Sequence, residues 1–206
     1  MPAFGWSESL KRLLPIAVFA MSAAAASAEG YEQLDTPRPL PEFTLQDQHE
    51  QAFGLADLKG QWSMIFVGFT SCPDVCPYTL AALEAVRAQL GLRLRPENLP
   101  DIVLLAVDPQ RDKAHIKPYL AHFHPDYIGI TGEAKEIDKL IEGIEGFYEL
   151  KRTSPMDTGY DVVHSAAVSI IDPAGNVVAR ILPPFNAFRA SEYLAGIIRG
   201  VQLGAR

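Results

Sequence analysis

Cysteine is nearly absent from this chain. Its 206 residues include only Cys72 and Cys76, with Pro73-Asp74-Val75 between them. A bridge between the two would close a loop of a few residues and constrain the unfolded chain little, so a structural staple is a poor use of the pair. An excess of basic residues is absent as well. The formal charge of −7 gives no basic face for nucleic acid and no polybasic patch for anionic lipid. Nor does any apolar run reach the roughly 20 residues that a membrane-spanning helix needs. Internal repeats are missing, and low complexity is confined to the N-terminus. What remains is the composition of a globular domain, 48% hydrophobic and 21% charged, with enough chain to bury one core.

The N-terminus carries an address. Lys11 and Arg12 precede the short apolar run Leu13–Met21, and an Ala/Ser tract ends in Ala26-Ser27-Ala28. A positive start, a short apolar middle and a small-x-small end describe a secretory signal peptide over residues 1–28; an uncleaved inner-membrane anchor is the alternative. No cysteine lies near the expected cleavage point, which argues against a lipoprotein. The mature chain is therefore expected outside the cytoplasm, in the periplasm. Loss of Lys11, Arg12 and Glu8 leaves it about one charge more acidic. Export would also expose the thiol pair to oxidation.

Residues 29–41, with Pro37, Pro39 and Pro41, read as an extended linker, leaving residues 42–206 as the domain. Phe43–Leu45 and Gln51–Phe53 predict a small hairpin, and Leu55–Leu58 one helical turn. The apolar run Trp62–Phe69 predicts a strand buried on both faces, as does Ile102–Val107. Pro77–Leu90 carries Leu80, Leu83, Val86 and Leu90 at helical spacing, with Gly91 as a stop. Lys113–Phe123 reads as a helix interrupted or bent near Pro118, Tyr127–Ile130 as a strand and Glu133–Ile144 as a helix. Phe147–Leu150 reads as a short strand. Val162–Ile171 predicts one strand, turned at Asp172–Asn176 into Val177–Leu182, and Ala190–Val201 a closing helix. Alternating strands and helices imply an α/β fold, a mainly parallel core sheet with helices on its faces and an antiparallel terminal hairpin.

In such sheets, sites form beyond the carboxyl ends of the parallel strands. Cys72 and Cys76 follow the first core strand and Asp108 follows the second. His164 starts a segment that reaches the same edge if its strand runs antiparallel. Cysteines four apart at a helix start share a face, where the positive helix end favours thiolate. Thiolate is both nucleophile and metal ligand. Dithiol oxidoreductases typically use a two-residue spacer, however, and this one has three. Two thiolates with an imidazole suit copper, Cu(I) or Cu(II), and zinc as well. Asp108 is a candidate to orient a ligand or to cap the turn before Pro109. His49, His115, His122 and His124 read as surface residues, and Met156 as an incidental loop residue.

Three motifs now stand in order: Phe69-Thr70-Ser71-Cys72-Pro73-Asp74-Val75-Cys76-Pro77, Val107-Asp108-Pro109-Gln110-Arg111-Asp112 and Val163-His164-Ser165. Together they resemble the Sco/SenC copper proteins, across about residues 40–200. Gly129-Ile130-Thr131-Gly132 and Ile171-Asp172-Pro173-Ala174-Gly175 add to the likeness. The resemblance implies a thioredoxin-like fold, with a central mixed sheet flanked by helices and an added N-terminal β-hairpin. It also implies one copper ion held by Cys72, Cys76 and His164. The implied task is assembly of the binuclear copper centre of cytochrome c oxidase, by delivering copper to its copper-accepting subunit, by reducing that subunit's cysteines, or both. Members often carry Asp directly before the histidine, where this chain has Val163, and many are membrane-anchored. Expected partners are that oxidase subunit and, beyond it, another periplasmic copper chaperone or a thiol-disulfide partner; a monomer is expected. The alternative reading is a thiol-disulfide oxidoreductase or thiol peroxidase on the same fold, with Cys72 and Cys76 as its redox pair.

Overall fold

The computed structural model describes residue 1, residues 30–151 and residues 159–200. The expected signal segment beyond residue 1, Met156 and the end of the last helix at Val201 lie outside the described residues.

Two buried strands form the centre. β4 (Ser63–Gly68) is buried at every position, and β5 (Asp101–Ala106) at all but its first. They pair in parallel, from Ser63 opposite Asp101 to Gly68 opposite Ala106. Side chains alternate between faces along a strand, so the continuous apolar runs feed two cores. Met64, Phe66, Ile102 and Leu104 pack against α2 (Val75–Gly91) and α6 (Ala187–Ile198). Ile65, Val67, Val103 and Leu105 pack against α1 (Leu55–Leu58) and α5 (Ala134–Gly143). Each fully buried aliphatic side chain is worth about 1.5–3 kcal/mol relative to exposure, which is why these runs cannot serve as edge strands.

Around this pair the main sheet has eight strands, ordered β1-β10-β9-β4-β5-β6-β2-β3. β6 (Ile128–Thr131) continues the parallel set beside β5. β9 (Val168–Ile171) flanks β4 antiparallel and forms a hairpin with β10 (Asn176–Ile181). Asp172 Oδ1 sets that turn by accepting the N–H groups of Ala174 and Asn176, at 3.0 and 2.8 Å. The N-terminal hairpin, β2 (Thr44–Asp47) with β3 (Ala52–Gly54), joins the sheet through β2 against β6. This is the thioredoxin-like arrangement with an added hairpin. A second sheet has two strands, β7 (Tyr148–Lys151) and β8 (Asp161–His164). No helix among the described residues is long and apolar enough to cross a membrane.

Among the described residues the parallel pairs are β4–β5 and β5–β6, so a parallel core sits in a mixed sheet, as the resemblance implies. Three expectations need correction. The supposed linker contains a strand, β1 (Tyr31–Pro39), paired antiparallel to β10. It forms a sheet edge with little burial, so it shows no apolar alternation, and an edge tolerates Pro37 and Pro39. The stretch Val162–Ile171 is two strands in two sheets, split at Ser165–Ala167. No Gly, Pro, Asn or Asp marks the switch, which is tied down where Ser165 N–H donates to the Phe147 carbonyl at 2.9 Å. The helix expected over Lys113–Phe123 is α3 (Pro109–Asp112) followed by α4 (Ile116–Ala121). The break falls at residues 113–115; Pro118 lies in the first turn of α4, where its missing N–H costs nothing.

β6 also shows why a glycine is needed. A Cβ on Gly129 would lie 2.1 Å from Ile116 Cγ2 and 2.6 Å from Leu120 Cδ1, so α4 seats directly on the strand. Gly129→Ala is expected to destabilise the domain by about 1–3 kcal/mol through overpacking. Urea unfolding should show a lower midpoint with an unchanged slope.

Candidate metal centre

After Gly68 the chain leaves β4, turns through Phe69–Asp74 and enters α2 at Val75. Cys76 is the second residue of that helix and only 1% exposed. Cys72 stands in the turn ahead of the helix, half-buried, its N–H donating to the Phe69 carbonyl at 3.2 Å. The two cysteines therefore do not share a helix face, because the helix begins too late to include Cys72. Their sulfurs converge through the turn instead, and the Cys76 N–H, one of the free donors of the helix start, points at Cys72 Sγ at 3.4 Å. Gly68 makes room for the deeper sulfur: a Cβ there would lie 2.8 Å from Cys76 Sγ and 3.0 Å from Leu104 Cδ1.

His164 ends β8, directly opposite Tyr148 of β7, rather than starting a strand of the main sheet. It still reaches the cysteines, with Nε2 3.6 Å from Cys76 Sγ. Its other nitrogen, Nδ1, lies 2.9 Å from the Ser165 carbonyl. A carbonyl can only accept, so Nδ1 carries the proton and the Nε2 lone pair faces the sulfurs. Phe69 packs edge-on against the imidazole, with ring centroids 5.7 Å apart. The ligand atoms of Cys72, Cys76 and His164 all lie within 4.8 Å of one another, the only such group of three or more among the described residues.

Burial pushes the Cys76 thiol well up, and the nearby Cys72 and Asp112 push the same way; a backbone hydrogen bond at Phe69 opposes them. A thiolate at Cys76 thus needs a compensating cation, and a soft metal ion beside a thiolate and a neutral imidazole supplies one. The set opens into a cleft of about 630 Å³, walled by Phe69, Pro73, Arg111, Tyr160 and Val163 among others.

Asp108 is buried, but its carboxylate reaches neither cysteine nor His164. Oδ1 accepts the Tyr160 hydroxyl at 2.8 Å, and Oδ2 accepts the Arg111 Nε–H. It stands at the N-cap position of α3 without making a side-chain cap bond. Arg111 stacks its guanidinium 4.2 Å from the centre of the Tyr160 ring. Asp112, fully buried, is a residue that sequence reasoning passed over. Its Oδ1 accepts both the N–H and the hydroxyl of Thr70, each at 2.7 Å, and its Oδ2 accepts the Asp108 N–H at 3.1 Å. Burial raises its carboxyl, and these bonds oppose the rise. A second acid four residues after Asp108 was the available signal. His49, His115 and His122 are exposed, and none belongs to the cluster. His124 is half-buried rather than a plain surface residue, its Nδ1 accepting the Asp126 N–H at 3.1 Å.

The sequence matches the SCO1/SenC family across residues 32–199. It is 33% identical over 156 residues to an SCO2-like protein of Rickettsia felis, covering 75% of each chain. Among solved structures it is similar to copper-bound ScoI of Arabidopsis thaliana, with a TM-score of 0.70 and 27% identity. That match covers 78% of this chain and 98% of the other. Copper-bound ScoI of Bradyrhizobium japonicum gives 0.65 and 30% identity, covering 76% and 97%.

The two thiols should differ in reactivity before any metal is bound. Only the thiolate reacts, and each pH unit by which titration rises removes about tenfold of it near neutrality. In reduced, metal-free protein at pH 7, iodoacetamide should label Cys72 at least about tenfold faster than Cys76. Peptide mass spectrometry reads the ratio, which should vanish in guanidinium; equal rates in the folded state would contradict the buried assignment of Cys76.

Proposed function

The chain belongs to the SCO1/SenC family, and from that premise we propose that it is a copper metallochaperone. Cys72, Cys76 and His164 hold one copper ion, which the protein carries for assembly of the binuclear copper centre of cytochrome c oxidase. The observation that supports this most directly is the convergence of two sulfurs and a lone pair within 4.8 Å, the sulfurs from one turn and helix start and the imidazole from a strand 88 residues after Cys76. A dithiol enzyme has no need of the imidazole, whereas a soft metal ion gains a third donor from it. Copper is here the cargo. Binding it displaces the thiol protons, and the compensation is largest at Cys76, where the proton is held most tightly. A Cys72–Cys76 disulfide removes both thiolates, so oxidation would close the site to copper and reduction would open it.

One observation favours a second reading, thiol-disulfide exchange with the oxidase cysteines. Cys72 is accessible and Cys76 is buried, the arrangement in which one sulfur attacks a partner and the other resolves the mixed disulfide. Both readings use Cys72 and Cys76, but only the copper reading needs His164. We place the mature protein in the periplasm after loss of residues 1–28, with the copper-binding domain taking in β1 (Tyr31–Pro39). The intact mass of protein from a periplasmic extract checks the cleavage.

Anaerobic titration of the reduced mature chain with Cu(I) and Cu(II) decides between the readings. Wild type should take up about one equivalent, and Cys72→Ala with Cys76→Ala none. His164→Ala should weaken binding by more than about 100-fold, beyond what loss of an outer contact to a ligand costs. Stoichiometric binding that survives the double replacement would sink the chaperone. Disulfide-reductase turnover indifferent to His164→Ala, without specific copper uptake, would establish the enzyme.

A further inference from the structure

The three candidate ligands come from two independent pieces of chain. Cys72 and Cys76 follow β4, and His164 ends a strand of a separate small sheet. The main sheet brings the two pieces near one another, since Val168 of β9 lies opposite Phe66 of β4, but that pair leaves His164 four residues away. Both pieces are also tied to one short segment, the turn Asp108–Asp112 that follows β5.

One tie is the Asp112 carboxylate. It accepts the Thr70 N–H and hydroxyl at 2.7 Å each, two residues ahead of Cys72. Its second oxygen accepts the Asp108 N–H at 3.1 Å, so the same side chain closes the turn on itself. The other tie is Asp108 with Arg111. Asp108 Oδ1 accepts the Tyr160 hydroxyl at 2.8 Å, Arg111 Nη1 donates to the Tyr160 carbonyl at 3.3 Å, and the guanidinium stacks on the same ring. Tyr160 immediately precedes β8, whose last residue is His164. The segment therefore holds the start of the cysteine turn with one acid and the start of the histidine strand with the other. Both acids are buried, at 1% and 0% exposure. Donated bonds to buried carboxylates are directional and are stronger than neutral ones.

The geometry points to the Asp108–Asp112 turn as a brace that sets the spacing of Cys72 and His164 before copper arrives, with Asp112 as its principal positioning residue. Preorganisation of this kind removes an ordering cost that binding would otherwise bear. Residues that orient ligands typically change metal affinity about 10–100-fold when replaced. The inference rests on the copper reading above, but the brace also acts on the thiols alone. A freer Cys72 turn lowers the effective concentration of one sulfur at the other. That shifts the equilibrium in which glutathione disulfide oxidises the pair to a Cys72–Cys76 bridge and is itself reduced to two glutathione thiols.

The test compares wild type, Asp112→Asn, Thr70→Val and Tyr160→Phe in two measurements. The first is Cu(I) affinity by anaerobic competition with bathocuproine disulfonate, together with the sulfur-to-Cu(II) charge-transfer band. The second is the Cys72–Cys76 disulfide equilibrium against glutathione in metal-free protein. Asp112→Asn should lower Cu(I) affinity about 10–100-fold, shift the charge-transfer band and disfavour the disulfide. Thr70→Val, which removes only the hydroxyl bond, should do the same to a smaller degree. Tyr160→Phe should affect copper but leave the disulfide equilibrium unchanged, because its tie serves His164 alone. A purely structural role would lower the unfolding midpoint and leave the band and the equilibrium where they are, which overturns the inference. If Asp112→Asn does not fold, Thr70→Val and Tyr160→Phe decide by the same readings. If wild type takes up no copper, the copper reading fails and the disulfide equilibrium of the variants alone decides the brace.

Discussion

Everything about this site depends on the parallel register of β4 with β5. With Gly68 opposite Ala106, the two strands end level, and the segments that follow them must emerge side by side at one edge of the sheet. One segment carries the cysteines and the other carries Asp108 and Asp112. The register is held by apolar side chains on both faces of both strands. A slip of one residue would move each set of side chains into the wrong core. The hydrophobic effect thus fixes the polar site, since the chemistry stands on the only ends that the buried strands offer.

The same packing decides the character of the sulfurs. Cys76 is drawn beneath the sheet edge because Gly68 leaves the space, and its burial holds the proton on the thiol. Cys72 remains in the turn, facing the cleft. Such a pair is poorly suited to two equal thiolates in metal-free protein. It suits a state change in which a cation or a disulfide bond replaces the proton at the deeper sulfur. The imidazole adds a lone pair at fixed direction, since the Ser165 carbonyl already holds its other nitrogen. The proposed copper loading would therefore change the proton count of the site.

Much of this was legible in the sequence, for identifiable reasons. Strands buried on both faces announce themselves as unbroken apolar runs, and Trp62–Phe69 and Ile102–Val107 did so. The helix with Leu80, Leu83, Val86 and Leu90 showed its period. The Asp172–Asn176 turn showed its chemistry, with Gly175 at positive φ. The edge strand β1 was hidden because an exposed strand has no face to hide, and its prolines read as a linker. The division of Val162–Ile171 was hidden for another reason: no Gly, Pro, Asn or Asp interrupts the stretch while the pairing partner changes from β7 to β4. At the site, Cys72, Cys76 and His164 were visible by residue type and topology. Asp112 was not, because a buried carboxylate that serves backbone N–H groups looks, in sequence, like any acid at a helix start.

Val163 shows where composition and placement meet. The side chain before the histidine points away from the face that Tyr148 and His164 share, since neighbours on a strand alternate. It is 44% exposed and lines the cleft. An acid at that position would add a negative charge beside Asp74 and Asp161, which also line the cleft. With valine there, Arg111 is the cation of the wall, already engaged by Asp108, and the mouth is less charged. On the proposed copper reading, compensation of the buried thiolate falls to the two sulfurs and the imidazole, with no carboxylate directly before His164.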